Sequence, residues 1–98
     1  MLDKMKALFE MQKKMQEVKR QLDSATFDIQ SSDGAVKITM NGAQEVKEIA
    51  IKDNLDESER ARLNNSIKDT FNRAIKRSQD IAAQKMKEVT GLNIPGLT

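Results

Sequence analysis

Lysine and arginine are the side chains of this 98-residue chain whose spacing suggests a task. Lys6, Lys13 and Arg20 recur every seven residues, which on a helix stacks them along one face over about 21 Å. That geometry suits meeting a row of anionic groups. Farther on, Arg62, Arg73, Lys76 and Lys87 share one side of a second helical wheel, diluted by Asp69 and Asp80. With Lys14 and Arg77 they make nine candidate contacts for an anionic partner. The plainer alternative is a set of solvated helix faces steadied by i,i+4 pairs such as Glu10–Lys14.

Bond-breaking chemistry is poorly provided for. The chain has no His, Cys, Tyr or Trp, which removes the usual general base and the strongest nucleophile. Asp33-Gly34 and Asn41-Gly42 belong to turns and form no phosphate-cradling glycine loop. The carboxylates of the central segment read as surface groups without metal-ligand spacing. No enzymatic activity, cofactor, metal or small-molecule substrate is therefore expected. Base stacking on a single strand needs aromatic platforms, and Phe9, Phe27 and Phe71 read mostly as packing residues. A duplex gripped through its phosphates remains the compatible nucleic acid.

The charges are segregated. Residues 1–23 carry six bases against four acids, 24–59 three against eight, and 60–98 eight against three. The overall balance of +2 thus hides two basic flanks around an acidic centre, a pattern that favours an anionic partner for the flanks. The N-terminus is charged and lacks the apolar run of a signal peptide, and no stretch reaches membrane-spanning length, so a cytoplasmic, non-membrane protein is expected.

These residues need elements to position them. Leu8, Met15 and Leu22 alternate with Met11 and Val18 on a heptad, predicting a helix over 2–24 with an apolar seam opposite the Lys6–Lys13–Arg20 stripe. Val36, Ile38 and Met40 alternate with Ala35, Lys37 and Thr39, the period of a half-buried strand. Phe27 and Ile29 before it, and Val46, Ile49 and Ile51 after it, extend this to a three-stranded antiparallel meander with strands at about 25–31, 35–41 and 43–52. Val46 is out of parity with Ile49, which predicts a bulge near Lys47-Glu48, and Asn41-Gly42 predicts a type I′ turn. Asp56 and Glu59 form a capping box for a helix over 56–90 that stops at Gly91. An apolar tail, 91–98, follows. The whole, 1–98, reads as one α+β domain of order α-β-β-β-α. So small a sheet cannot cover two long helices, and self-association is expected.

The run Gly34-Ala35-Val36-Lys37-Ile38-Thr39-Met40-Asn41-Gly42, continuing to Val46 and Ile49-Ala50-Ile51, resembles the core signature of the YbaB/EbfC family of bacterial nucleoid-associated proteins. Met11-Gln12-Lys13-Lys14-Met15-Gln16, Phe71-Asn72-Arg73-Ala74 and Gly91-Leu92-Asn93-Ile94-Pro95-Gly96-Leu97 agree in order and spacing. The chain departs from that pattern in lacking a longer glycine run before the first hairpin turn and a proline after the third strand. The resemblance implies a tweezer-like homodimer with joined sheets and projecting helices. It also implies binding of duplex DNA with loose sequence preference, and association with the bacterial nucleoid. It supplies no contact residues, so the nine cations rest on the helical wheels alone. The competing expectation is a structural or chaperone-like dimer gripping proteins with Met1, Leu2 and Met5 at one helix tip and Leu92, Ile94 and Leu97 at the other.

Overall fold

The structure, a computed structural model, describes residues 2–91. Along the chain come α1 (Leu2–Ser24), β1 (Thr26–Gln30), β2 (Val36–Asn41), β3 (Val46–Ile51), α2 (Glu57–Ala61) and α3 (Leu63–Thr90). The sheet is antiparallel in the order β1-β2-β3. The fold is therefore the expected α+β arrangement, with the C-terminal helix in two pieces. The expected tail, apart from Gly91, and Met1 lie outside the described residues.

Register explains the packing. Ile29, Ile38 and Ile49 sit opposite one another across the three strands, as do Phe27, Met40 and Val46, and residues directly paired across a sheet share a face. α3 lies on that face over β1 and β2. Val36, Ile38, Met40 and Ala74 are fully buried there, with Phe27, Ile67, Phe71 and Ile75 packed around them. Burying each of the larger side chains contributes roughly 1.5–3 kcal/mol. A helix about 10 Å wide covers two strands spaced at about 4.8 Å. The third strand is left over: Val46, Ile49 and Ile51 keep 41%, 49% and 44% of their surface.

The bulge falls where parity places it. Thr39 pairs with Glu48 and Met40 with Val46, so Lys47 is the extra residue. The Asp33-Gly34 turn also matches its composition, with Gly34 at φ 74° and Gly34 N–H donating to Ser31 O at 3.0 Å.

Four expectations need correction. The strands are shorter than the expected 25–31, 35–41 and 43–52, most of all β3, whose expected start at 43–45 belongs to the hydrogen-bonded turn after Asn41. Asn41-Gly42 does not make a type I′ turn: the residue with positive φ in this loop is Gln44, at 61°. Glycine at position 42 suits a close approach, since a Cβ there would sit 3.0 Å from both Leu22 Cδ2 and Ile81 Cγ2, which would have to give way. The helix expected over 56–90 breaks at Arg62 (φ −98°, ψ 0°). No Gly or Pro marks that break. Tertiary ties flank it: Lys52 Nζ holds Glu59 at 3.1 Å on the α2 side, and Arg62 reaches Asp33 at 3.7 Å. The same ties correct the reading of the central carboxylates as surface groups, because Glu59 is buried and Asp33 nearly so. Asp56 still caps α2 through a complete capping box, and Gly91 still ends α3 in the left-handed conformation.

Beyond the sheet the molecule becomes an arm. Gly42 lies between Leu22 of α1 and Ile81 of α3, and from that level α1 extends about 30 Å towards Leu2 while α3 extends about 14 Å to Thr90. The maximum extent of 68 Å and a radius of gyration of 18.2 Å, against roughly 13 Å for a compact chain of this size, show both helices leaving the sheet in the same direction. Val18 is buried between them. The N-terminal half of α1 overruns α3, and Leu2, Leu8, Phe9, Met11 and Met15 are exposed.

Candidate nucleic-acid interface

All nine candidate cations are solvent-exposed, but the structure does not leave them equally available. On α1, Arg20 is held by Glu17, one turn earlier: its Nε donates to Glu17 Oε2 at 3.0 Å and its Nη2 to Glu17 Oε1. Hydrogen bonds from Arg20 and Gln21 pull the Glu17 carboxyl down to about 2, and the same contact raises the Arg20 guanidinium above its ordinary value. Lys6, Lys13 and Lys14 have no ion-pair partner among the described residues. The stripe is therefore formed, but one of its three charges is neutralised in place.

The second set is spread out. Arg62 points to Asp33, and Arg73 Nη2 donates to the Gln30 carbonyl at 2.7 Å. Both serve the end of the sheet away from the arm. Lys76 pairs with Asp80 at 3.2 Å. Arg77 and Lys87 have no ion-pair partner among the described residues. From Arg62 to Lys87 the helix runs about 37 Å, so these positions form no single patch. Lys4, Lys19 and Lys68 are equally exposed and lie outside the wheel selection, although a plain survey of lysines would have included them. What the arrangement offers is a row of exposed ammonium groups on a projecting helix. Such groups neutralise phosphates without reading bases.

The family model of the YbaB/EbfC DNA-binding family matches residues 1–93. The chain belongs to the YbaB/EbfC family. Among curated relatives, a nucleoid-associated protein of Pelotomaculum thermopropionicum is 37% identical, the match covering 95% of this chain and 90% of the relative. One of Flavobacterium johnsoniae is 31% identical over 92% and 84%, and one of Clostridium acetobutylicum 34% over 88% and 79%. The family is a DNA-binding one, and these relatives are named nucleoid-associated proteins. Among the described residues, no helix is long and apolar enough to cross a membrane.

Proposed function

We propose that this chain binds duplex DNA as a homodimer in the bacterial nucleoid, with loose sequence preference and through the basic faces of its arms. The observation that carries the reading is the separation of roles along the molecule. Lys6, Lys13 and Lys14 stand free on α1, while the acids concentrate in the sheet and its loops. Self-association is supported by Val46, Ile49 and Ile51, which continue the buried apolar rows of the sheet onto an uncovered strand. A two-fold arrangement burying this strip against its own copy doubles every arm contact. The test is a titration of labelled duplex at two salt concentrations, alongside light scattering. Affinity should fall steeply with salt and the mass should be twice that of the chain. Absence of duplex binding even at low salt sinks the reading.

A second reading keeps some support. Leu2, Met5, Leu8 and Phe9 are 84%, 58%, 70% and 61% exposed near the arm tip, a surface able to grip apolar segments of another protein. Binding of that kind does not weaken steeply with salt, so the same titration separates the two readings.

A further inference from the structure

Resting on the duplex-binding reading, we propose that Asn41 and Ser78 form a pin that sets the angle of the arm and so act as positioning residues for the nucleic acid. Asn41 and Ser78 are both fully buried. Asn41 Nδ2 donates to Asp23 O at 3.1 Å, the last turn of α1, and to Glu45 Oε1 at 2.8 Å. Its Oδ1 accepts from Ala43 N and Glu45 N, both at 3.0 Å. Ser78 Oγ donates to Asn41 O at 2.9 Å and accepts from Gln44 N at 3.1 Å. Gly42 N–H donates to Leu22 O and Ala25 O, both at 3.1 Å. One loop therefore ties the end of α1, the end of β2 and the middle of α3.

The location gives the pin leverage. α3 runs without a break from the sheet into the arm, whereas α1 meets the sheet at this end alone. From the pin to Leu2 α1 spans about 30 Å, of which only the N-terminal half is clear of α3, so a swing of about 10° at the pin carries the tip through about 5 Å. That exceeds the roughly 3.4 Å between successive phosphates along a duplex strand's axis. Lys6 and Lys13 keep register with phosphates only while the junction holds α1 at one angle. Apolar packing alone leaves direction less defined than hydrogen bonds do, and here they join the α1 backbone, the end of β2 and the Ser78 side chain of α3.

The chain has no native cysteine, so spin labels at Glu10→Cys and Glu48→Cys report the arm-to-sheet distance in the full protein, diluted with unlabelled chain. Ser78→Ala, measured at a temperature where circular dichroism shows it folded, should broaden that distance distribution. It should also flatten the slope of log affinity against log salt for a duplex by at least half a unit, although no cation has been removed. If Ser78→Ala does not fold, Asn41→Asp, which loses the Nδ2 donor and keeps the oxygen acceptors, is read in the same way. A fold defect alone lowers the active fraction without changing the slope. An unchanged distance distribution overturns the pin, and a broadened one with an unchanged slope overturns its positioning role. Failure of the unaltered protein to bind duplex overturns the functional reading instead, and leaves the distance measurement to decide whether the pin exists.

Discussion

The sheet end and the arm end of this molecule use the same residue types in opposite ways. At the sheet end, Arg62 meets Asp33, Lys52 meets Glu59 and Arg73 meets the Gln30 carbonyl, so charge is consumed internally. Apolar side chains are treated likewise, with Ile38 and Met40 wholly enclosed. On the arm, Lys6, Lys13 and Lys14 have no ion-pair partner among the described residues, and Leu8 and Phe9 face water. A helix end with no sheet beneath it cannot gain stability from its own fold. What persists there is free to serve a partner. The sheet end builds the fold, and the arm end is available for work.

The largest test of this contrast is paired. Ile38→Ala should cost roughly 2–5 kcal/mol, the range for emptying a filled core site, whereas Leu8→Ala should move stability by less than about 0.5 kcal/mol. Chemical denaturation at fixed concentration reads both. Equal losses would show that the arm contributes to the stability of the fold as much as the sheet does.

Gly42→Val comes next, at about 1–3 kcal/mol, the usual cost of overpacking, because the added carbons collide with Leu22 and Ile81. Gly34→Ala, whose Cβ meets nothing within 4 Å but whose φ is 74°, should cost about 1 kcal/mol through backbone strain alone. A larger loss at position 34 than at 42 would reverse the assignment of the two turns.

Charge changes are expected to leave stability nearly untouched and to act on binding. Lys13→Ala with Lys14→Ala should flatten the salt slope by about 2 per chain engaged, at roughly 0.9 per phosphate contact. Lys37→Ala with Lys47→Ala, on the sheet, should change it much less. Equal effects would mean that the duplex is not on the arm.

The smallest effect sharpens the comparison within the arm itself. Glu17→Gln should free Arg20 and steepen the slope by up to about 0.9; no change would mean that Arg20 faces no phosphate. The Glu17 carboxyl lies below its ordinary value because of Arg20 and Gln21, reaching about 2. It therefore contributes stability above pH ~4.5 that is lost as pH falls towards ~2. Asp33, lowered chiefly by the Ser31 hydroxyl, and Glu45, lowered chiefly by Asn41, act in the same direction. Acid titration of Glu17→Gln should lack the Glu17 share; a helicity loss identical to that of the unaltered chain would remove Glu17 from the account.

Much of the fold was legible because it follows from local period and local chemistry. Alternation exposed the strands, broken parity exposed the bulge at Lys47, and Asp56 with Glu59 marked the start of α2. The errors came where distant residues decide. Nothing near Arg62 announces a break, and the contacts that flank it run to Asp33 and Lys52, far away in sequence. Asn41-Gly42 has the composition of a tight turn, but Leu22 and Ile81 impose a different reason for the glycine. Thr70 and Ser78 are wholly enclosed on the α3 face, and an apolar period does not reveal buried polar residues. Cation exposure was readable from the wheels. Cation availability was not: Glu17 and Asp80 lie within one helical turn of Arg20 and Lys76, yet spacing alone does not say which pairs close.

The extra residue at Lys47 has a consequence for how far assembly can proceed. A flat, unpaired edge strand is a template onto which further strands add without limit, the route to fibres. Here the strand with the uncovered apolar residues is six residues long, is kinked at its second position and carries Lys47 and Glu48 there. Strand addition along that edge meets a broken ladder and charged side chains, while contact through the apolar face remains open. Growth by polymerisation is discouraged, and closure between two faces is the association that the same strand still permits.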